Sequence, residues 1–261
     1  MTLPLAGVVV VVTRPAAQAA RFAERVTAAG ARPLLLPAIE IEPVELDKAS
    51  RARLAPDEFD WTIYTSANAV ECSLRQLPRP QRTRVAAVGR ATARALQEHG
   101  ITVSALPSTT ADSEGLLALE CFADLRGRRV LILKGRGGRT LLRDELARRG
   151  ADVVTGEAYQ RRPAEAPPGS LDELRRATDA GRAAIAATSA EVLASLLELA
   201  PAERCPHLRD ALLVVPGERV AAAAREHGWQ GRVVVASSAE DAVMADALGR
   251  ALAEGSRPGA A

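Results

Sequence analysis

Aromatic side chains are scarce: Phe, Trp and Tyr together make up 3% of the 261 residues. The cores must therefore be aliphatic, built with abundant Ala. Lysine is nearly absent too, with Lys48 and Lys134 alone, so the cationic side chains are Arg, which grips carboxylates bidentately. Cysteines are few and odd in number, Cys72, Cys121 and Cys205, with no CxxC. Neither a disulfide framework nor a zinc site is indicated, and a reducing cytoplasm fits. Cys72 and Cys121 fall in helix-period segments and are expected to be small core residues. The Leu5-to-Val12 apolar run is too short for a membrane span and lacks a basic n-region, so no export signal or anchor is expected. A formal charge of +2 gives no general basic field and no argument for a nucleic-acid partner.

Catalytic signatures are also missing. There is no Ser-His-Asp or Cys-His order, no HExxH and no clustered carboxylate pair. Glu40, Glu42 and Glu157 read as a solvated face. His99 and His227 each precede a helix-ending Gly, where a cation or donor has a structural use. His207 sits among loop residues with no partner in view. The Gly-rich loop Lys134-Gly135-Arg136-Gly137-Gly138-Arg139 lacks both GxGxxG and the Gly-Lys-Ser/Thr ending of a P-loop. Its three cations suit an acidic ligand better than a nucleotide. No cofactor and no metal are expected.

What is present is a series of strands that feed helices. Phe59 to Tyr64, then Thr65-Ser66-Ala67-Asn68-Ala69-Val70, reads as the carboxyl end of a parallel strand entering a helix that runs to Leu77. Hydroxyls there cap backbone N–H groups, and the same N–H groups bind anions. The pattern recurs at Ala183 to Ala187 with Thr188-Ser189-Ala190-Glu191, where Thr188 and Glu191 have capping-box spacing. Val85 to Gly89 with its helix to Gly100 matches Leu212 to Gly217 with its helix to Gly228. Val103 to Ser108 matches Val233 to Ser238, and Val8 to Gly30 matches Val130 to Gly150. The offset is roughly 120 residues throughout, as for two copies of one α/β unit.

The opening segment is a βαβ unit: strand Val8 to Val12, a helix from Pro15 to about Ala29, and a strand at Leu34-Leu35-Leu36. Pro37 to Pro43 alternates apolar and acidic residues and predicts an exposed strand. Its counterpart is Gly156 to Pro163, and the two are expected to pair as a connector. Asp47 to Leu54 predicts a short helix. Thr109 and Asp112 have capping-box spacing before a helix through Leu125 that Gly127 breaks. Ala164 to Gly169 is a Pro-rich hinge, and the tail from Gly255 is small and polar, as in a disordered end.

Donors collect at the strand carboxyl ends: Arg14, Thr65, Ser66, Thr92, Lys134, Arg136, Arg139, Thr188 and Ser189. In open α/β sheets ligands bind at that edge. Each Thr or Ser is equally explained by helix capping, so the argument rests on the set. A cleft between two such sheets would suit a molecule with several carboxylates. Tyr159, on the connector, would lie at its floor as a donor to a leaving hydroxyl or as simple cover.

Thr13-Arg14-Pro15, TSANAV at 65–70, Val88-Gly89-Arg90-Ala91-Thr92-Ala93, Pro107-Ser108 with Ser113-Glu114-Gly115-Leu116, Arg136-Gly137-Gly138-Arg139 with Leu142, and Tyr159 before Arg161 together resemble the uroporphyrinogen-III synthase family. The resemblance covers nearly the whole chain. It implies two flavodoxin-like α/β domains with parallel sheets flanked by helices: residues 1–37 with 164–261, and residues 44–155, joined by a two-stranded linker at 38–43 and 156–163. It implies a cofactor-free, cytoplasmic, monomeric enzyme that converts hydroxymethylbilane to uroporphyrinogen III with inversion of ring D and loss of water, with hand-over of the substrate from hydroxymethylbilane synthase. By the same resemblance Tyr159 assists loss of the hydroxyl. Arg14, Thr65, Ser66, Asn68, Thr92, Lys134, Arg136, Gly137, Arg139, Thr188 and Ser189 bind substrate. One departure is clear: where the family often has Thr after the second-half glycine, this chain has Val220, and Pro216 stands where the first copy has Val88. The alternative is a non-catalytic relative that binds a tetrapyrrole or other acidic ligand as a sensor; a two-domain solute-binding protein is disfavoured by the missing export signal.

Overall fold

The computed structural model describes residues 7–108 and 112–255. In chain order the elements are β1 (Val9–Val12), α1 (Ala16–Ala28), β2 (Arg32–Leu35), β3 (Ile39–Pro43), α2 (Lys48–Arg53), β4 (Trp61–Tyr64), α3 (Ala67–Leu74), β5 (Arg84–Ala87), α4 (Arg90–Glu98) and α5 (Ser113–Leu117). They continue with β6 (Arg129–Gly135), α6 (Leu141–Arg148), β7 (Asp152–Pro163), α7 (Ser170–Asp179), β8 (Ala183–Ala186), α8 (Ala190–Leu199), β9 (Leu212–Pro216), α9 (Glu218–Glu226), β10 (Val233–Ala236) and α10 (Asp241–Gly255).

The fold is α/β, with two five-stranded sheets, each in its own compact unit. One unit holds the described residues up to Glu40 and from Arg162 onward; the other is Ile41–Arg161. The first sheet has the order β10-β9-β8-β1-β2 and all four of its pairings are parallel. The all-valine β1 is fully buried, as a strand covered on both faces must be. Phe22 and Val26 of α1 pack with Met244 and Leu248 of α10 on one face. The second sheet has the order β3-β7-β6-β4-β5. Tyr64, Val70, Leu96 and Leu131 fill one side of it, and Trp61, Ile132, Leu116 and Leu146 the other.

The two halves of the sequence interleave. β1 and β2 come from the first copy of the repeat, and β1 pairs on its other side with β8 from the second. β6, from the second copy, pairs with β4 from the first. Each sheet is thus built from part of each copy.

Several details differ from the sequence reading. β3 pairs with β7 as expected, but as the edge strand of the second five-stranded sheet. The bonds Val44 N–H to Ala158 O and Ala164 N–H to Ala38 O run antiparallel. The Val103–Leu106 segment makes only one parallel bridge, Ala105 to Ala86. The helix expected through Leu125 stops at Leu117, and a 3-10 turn, Glu120–Phe122, follows. Cys121 consequently faces solvent, whereas Cys72 is buried. His207 does have a partner, Asp210 Oδ2 at 3.0 Å. Thr109 and the tail beyond Gly255 lie outside the described residues; α5 itself is capped by Asp112, which accepts from Gly115 N–H.

Candidate functional site

In the unit Ile41–Arg161, β4 ends at Tyr64 and the chain turns through Thr65 and Ser66 into α3. Thr65 N–H and Oγ1 both reach Leu133 O of β6, at 3.1 and 3.3 Å, which ties the turn to the next strand. Ser66 is the N-cap: its Oγ accepts from Ala69 N–H at 3.1 Å. Asn68 sits in the first turn of the helix. Thr92, in the first turn of α4, is 4% exposed. Neither α3 nor α4 has an acidic residue in its first turn. The positive ends of both helices are therefore open to an anion.

β6 ends at Lys134 and Gly135, where its pairing with β7 slips by one residue: Lys134 pairs with Glu157 but Gly135 with Tyr159. A bulge of this kind re-aims a side chain. Here it stacks the Tyr159 ring against the bare Cα of Gly135. A Cβ at that position would lie 2.7 Å from Tyr159 Cζ. The ring then runs under α3 among Ala69, Cys72 and Ala158, with Tyr159 1% exposed. Its Oη lies 3.0 Å from Ser66 Oγ and accepts from Arg161 Nη2 at 3.1 Å. Tyr159 is thus covered, and it meets the strand edge through Ser66.

The loop after β6 carries the cations. Arg136 holds Glu157 Oε2 at 3.0 Å and Gln160 Oε1 at 2.8 Å. Arg139 grips Glu114 with two bonds, and these hold the Glu114 carboxyl below its usual range. All four charged partners are exposed. Exposed pairs are worth only about 0–1 kcal/mol, so an incoming carboxylate can replace either acid cheaply. Gly137 and Gly138 have φ of 72° and 77°, a left-handed pair that a side chain would strain. Lys134 is half-buried and, among the described residues, its ammonium has no ion-pair partner.

The other unit repeats this geometry with different chemistry. Ser189 caps α8 by accepting from Val192 N–H at 3.1 Å. Its backbone, φ −158° and ψ 163°, matches that of Ser66, −159° and 161°. The cap is Ser189 and not Thr188, because α8 starts at Ala190 and Thr188 lies one residue too early. The Thr188–Glu191 capping box is therefore not formed. Arg14 is 13% exposed on its side chain, pairs with Asp241 and donates to Ala239 O at 2.8 Å. Desolvation lowers its pKa while Asp241 opposes the shift. Thr13 beside it is fully buried and donates to Ala186 O at 2.7 Å. Val220 is 3% exposed and fills the core at the first turn of α9. The structure therefore gathers Thr65, Ser66, Asn68, Thr92, Lys134, Arg136, Gly137, Arg139 and Tyr159 in one unit, and Arg14, Thr188 and Ser189 in the other.

Sequence reasoning missed Gly135 and Arg161. A glycine at a strand end beside a cation loop was the available signal for the first. Arg161 lies two residues from Tyr159 on one strand, hence on the same face. Among the described residues no cluster of three or more His, Cys, Asp or Glu side chains forms a metal site, and no helix is long and apolar enough to cross a membrane.

Comparison with known proteins assigns the family. A family model described as uroporphyrinogen-III synthase HemD matches residues 20–245. The chain belongs to the uroporphyrinogen-III synthase family. It is 37% identical over 255 residues to the uroporphyrinogen-III synthase of Salmonella typhimurium, covering 93% of this chain and 99% of that one. It is 34% identical over 250 residues to the Escherichia coli uroporphyrinogen-III synthase, with the same coverage. The fold is similar to that of the Helicobacter pylori uroporphyrinogen-III synthetase, with a TM-score of 0.62 at 19% identity over 94% of this chain and 98% of that one. The activity is accordingly that of a uroporphyrinogen-III synthase, an enzyme of tetrapyrrole biosynthesis.

Proposed function

We propose that the protein closes hydroxymethylbilane into uroporphyrinogen III, inverting the terminal ring and releasing water, by holding a flexible polyanion in one folded shape. The observation that carries this reading is the strand edge of the Ile41–Arg161 unit. There, two helix N-termini without first-turn acids stand beside Lys134, Arg136 and Arg139. Such an edge suits the carboxylates of a linear tetrapyrrole. The pyrroles supply the electrons for ring closure, so positioning is the main demand on the protein. Thr65, Ser66, Asn68, Thr92 and Gly137 contribute donors there. Thr188 and Ser189 contribute the equivalent donors in the other unit. Arg14, held by Asp241, supports its own turn more than it serves substrate.

Tyr159 is the source of the proton that leaves with the hydroxyl, supported by its contact with Ser66. The two units act as flavodoxin-like domains, the chain crossing between them in β3 and near the end of β7. The enzyme works without a cofactor, as a cytoplasmic monomer that takes its substrate from hydroxymethylbilane synthase. The test is a coupled assay with freshly generated hydroxymethylbilane, the oxidised products being separated into isomers I and III. Predominant isomer III is expected. Isomer I alone, from folded protein, would overturn the reading, and tight binding of a tetrapyrrole in that case would indicate a sensor.

A further inference from the structure

Ser66, Tyr159 and Arg161 form a chain of three hydrogen-bonding side chains within one unit. The direction of the bonds follows from their chemistry. A guanidinium only donates, so Tyr159 Oη accepts from Arg161. The tyrosine proton then needs an acceptor of its own. Tyr159 is 1% exposed, and among the described residues the one acceptor its hydroxyl meets is Ser66 Oγ. Were the serine to donate instead, a buried hydroxyl proton would be left unsatisfied, which native interiors avoid. Tyr159 therefore donates to Ser66. Ser66 Oγ already accepts from Ala69 N–H, so both of its lone pairs are occupied. Its own proton points away from this network, and Ser66 is the half-buried member, placed at the strand edge.

We propose that Ser66 is the catalytic residue that delivers the proton to the departing hydroxyl, that Tyr159 is the relay behind it, and that Arg161 is the positioning residue that sets the direction of the chain. The proposal rests on the synthase reading above. In the step, the pyrrole nitrogen pushes electrons toward the terminal carbon and the C–O bond breaks. The leaving oxygen takes the Ser66 proton and departs as water. Ser66 recovers a proton from Tyr159, and the guanidinium of Arg161 faces the phenol oxygen where negative charge collects. The proton lost from carbon when the closed macrocycle regains its aromatic pyrroles returns along the same chain. No external oxidant, reductant or base is needed.

The experiment uses the full-length protein and compares variants by kcat and KM for isomer III. Ser66→Asn keeps an N-cap acceptor and so preserves α3. Its kcat is expected to fall about 100-fold with KM within about threefold, the usual share of a positioned acid. Ser66→Thr is expected to restore most of that loss. Tyr159→Phe is expected to lose no more than Ser66→Asn, and the double variant to be no slower than Ser66→Asn alone, because the two residues act as one unit. Arg161→Met is expected to lower kcat with KM little changed, and Arg161→Lys to recover part of it. Near-wild-type kcat in Ser66→Asn beside a large loss in Tyr159→Phe would overturn the relay, because Tyr159 would then reach substrate directly. A wild-type protein that forms isomer I alone would instead overturn the synthase reading, and the relay with it.

Discussion

The carboxyl edges of the two sheets share a backbone and differ in charge. Ser66 and Ser189 cap their helices with nearly the same torsions and the same bond to the third residue on. Ile63 and Ala186 each stand two residues before the Thr of a Thr-Ser pair, and their strand partners are Ile132 and Val12. Lys134 and Arg14, each two residues further on, therefore hold equivalent places. Lys134 is without an ion-pair partner among the described residues, whereas Arg14 is held by Asp241 and a carbonyl. Two helix starts diverge in the same sense: α8 and α9 carry Glu191 and Glu218 in their first turns, while their counterparts α3 and α4 carry no acid there; α5 and α10 are alike, with Glu114 and Asp241. A duplicated backbone has left Lys134 and the starts of α3 and α4 free for anions on one edge and has met their counterparts with acids on the other.

That contrast can be broken most severely at Gly135. Gly135→Ala forces the Tyr159 ring out of its seat and is expected to lower kcat about 100-fold while the protein still unfolds cooperatively. Unchanged turnover would separate the ring's position from the chemistry. Next come the paired cations. Lys134→Met is expected to raise KM about tenfold with little change in stability, the size of one lost charge contact. Arg14→Met is expected to do the reverse, losing about 3 kcal/mol in urea unfolding because Asp241 is left in a mostly buried place without its partner. If Arg14→Met raises KM as Lys134→Met does, the two edges are equal after all.

A smaller effect is expected from exchanging the second residues of the capped helices. Asn68→Glu should raise KM about threefold by placing a carboxylate where substrate carboxylates gather, and Glu191→Asn should leave KM as it is. The smallest is acid titration. Hydrogen bonds from Arg126 and from Arg148 hold the Asp124 and Glu145 carboxyls down to about 2. Groups depressed in the folded state add stability above their unfolded pKa and lose it as pH falls through the folded value. Weakening of the Ile41–Arg161 unit is thus expected between roughly pH 4 and 2. The two tryptophans, Trp61 and Trp229, fall one in each unit, so fluorescence of single-tryptophan variants reports each separately. Loss of the Trp229 signal first would contradict the expectation.

Local signals were legible in the sequence, and long-range ones were not. The Ser66 turn, the short helix behind Asp47 and the βαβ opening all follow from capping and periodicity within a few residues. The repeat showed itself through matched strand ends, because each end carries the same Thr-Ser or Gly punctuation. The Thr188–Glu191 spacing fits a capping box that does not form, because spacing alone does not say at which residue the helix begins. Cys121 falls in a segment with helical period, yet the helix ends at Leu117 and Cys121 sits in a 3-10 turn. The engagement of Arg14 with Asp241 and Ala239 needs α10 to be brought beside β1, which nothing local announces. The bulge that aims Tyr159 at Ser66 is likewise a property of two paired strands and not of either one.

The interleaving of the repeats has a consequence for how the chain matures. Ile41–Arg161 is one continuous stretch, so its sheet closes with contacts available as soon as it has been made. The all-valine β1 has no such option on one side: its β8 edge pairs across the length recorded by the Thr13–Ala186 bond, 173 residues apart in sequence. At about 5–20 residues per second of synthesis, that edge waits on the order of ten seconds with its backbone unpaired. An apolar strand with an open edge is the part of a nascent chain most prone to pair with a stranger. The arrangement that joins the two copies therefore leaves β1 waiting for a partner strand that is made long after it.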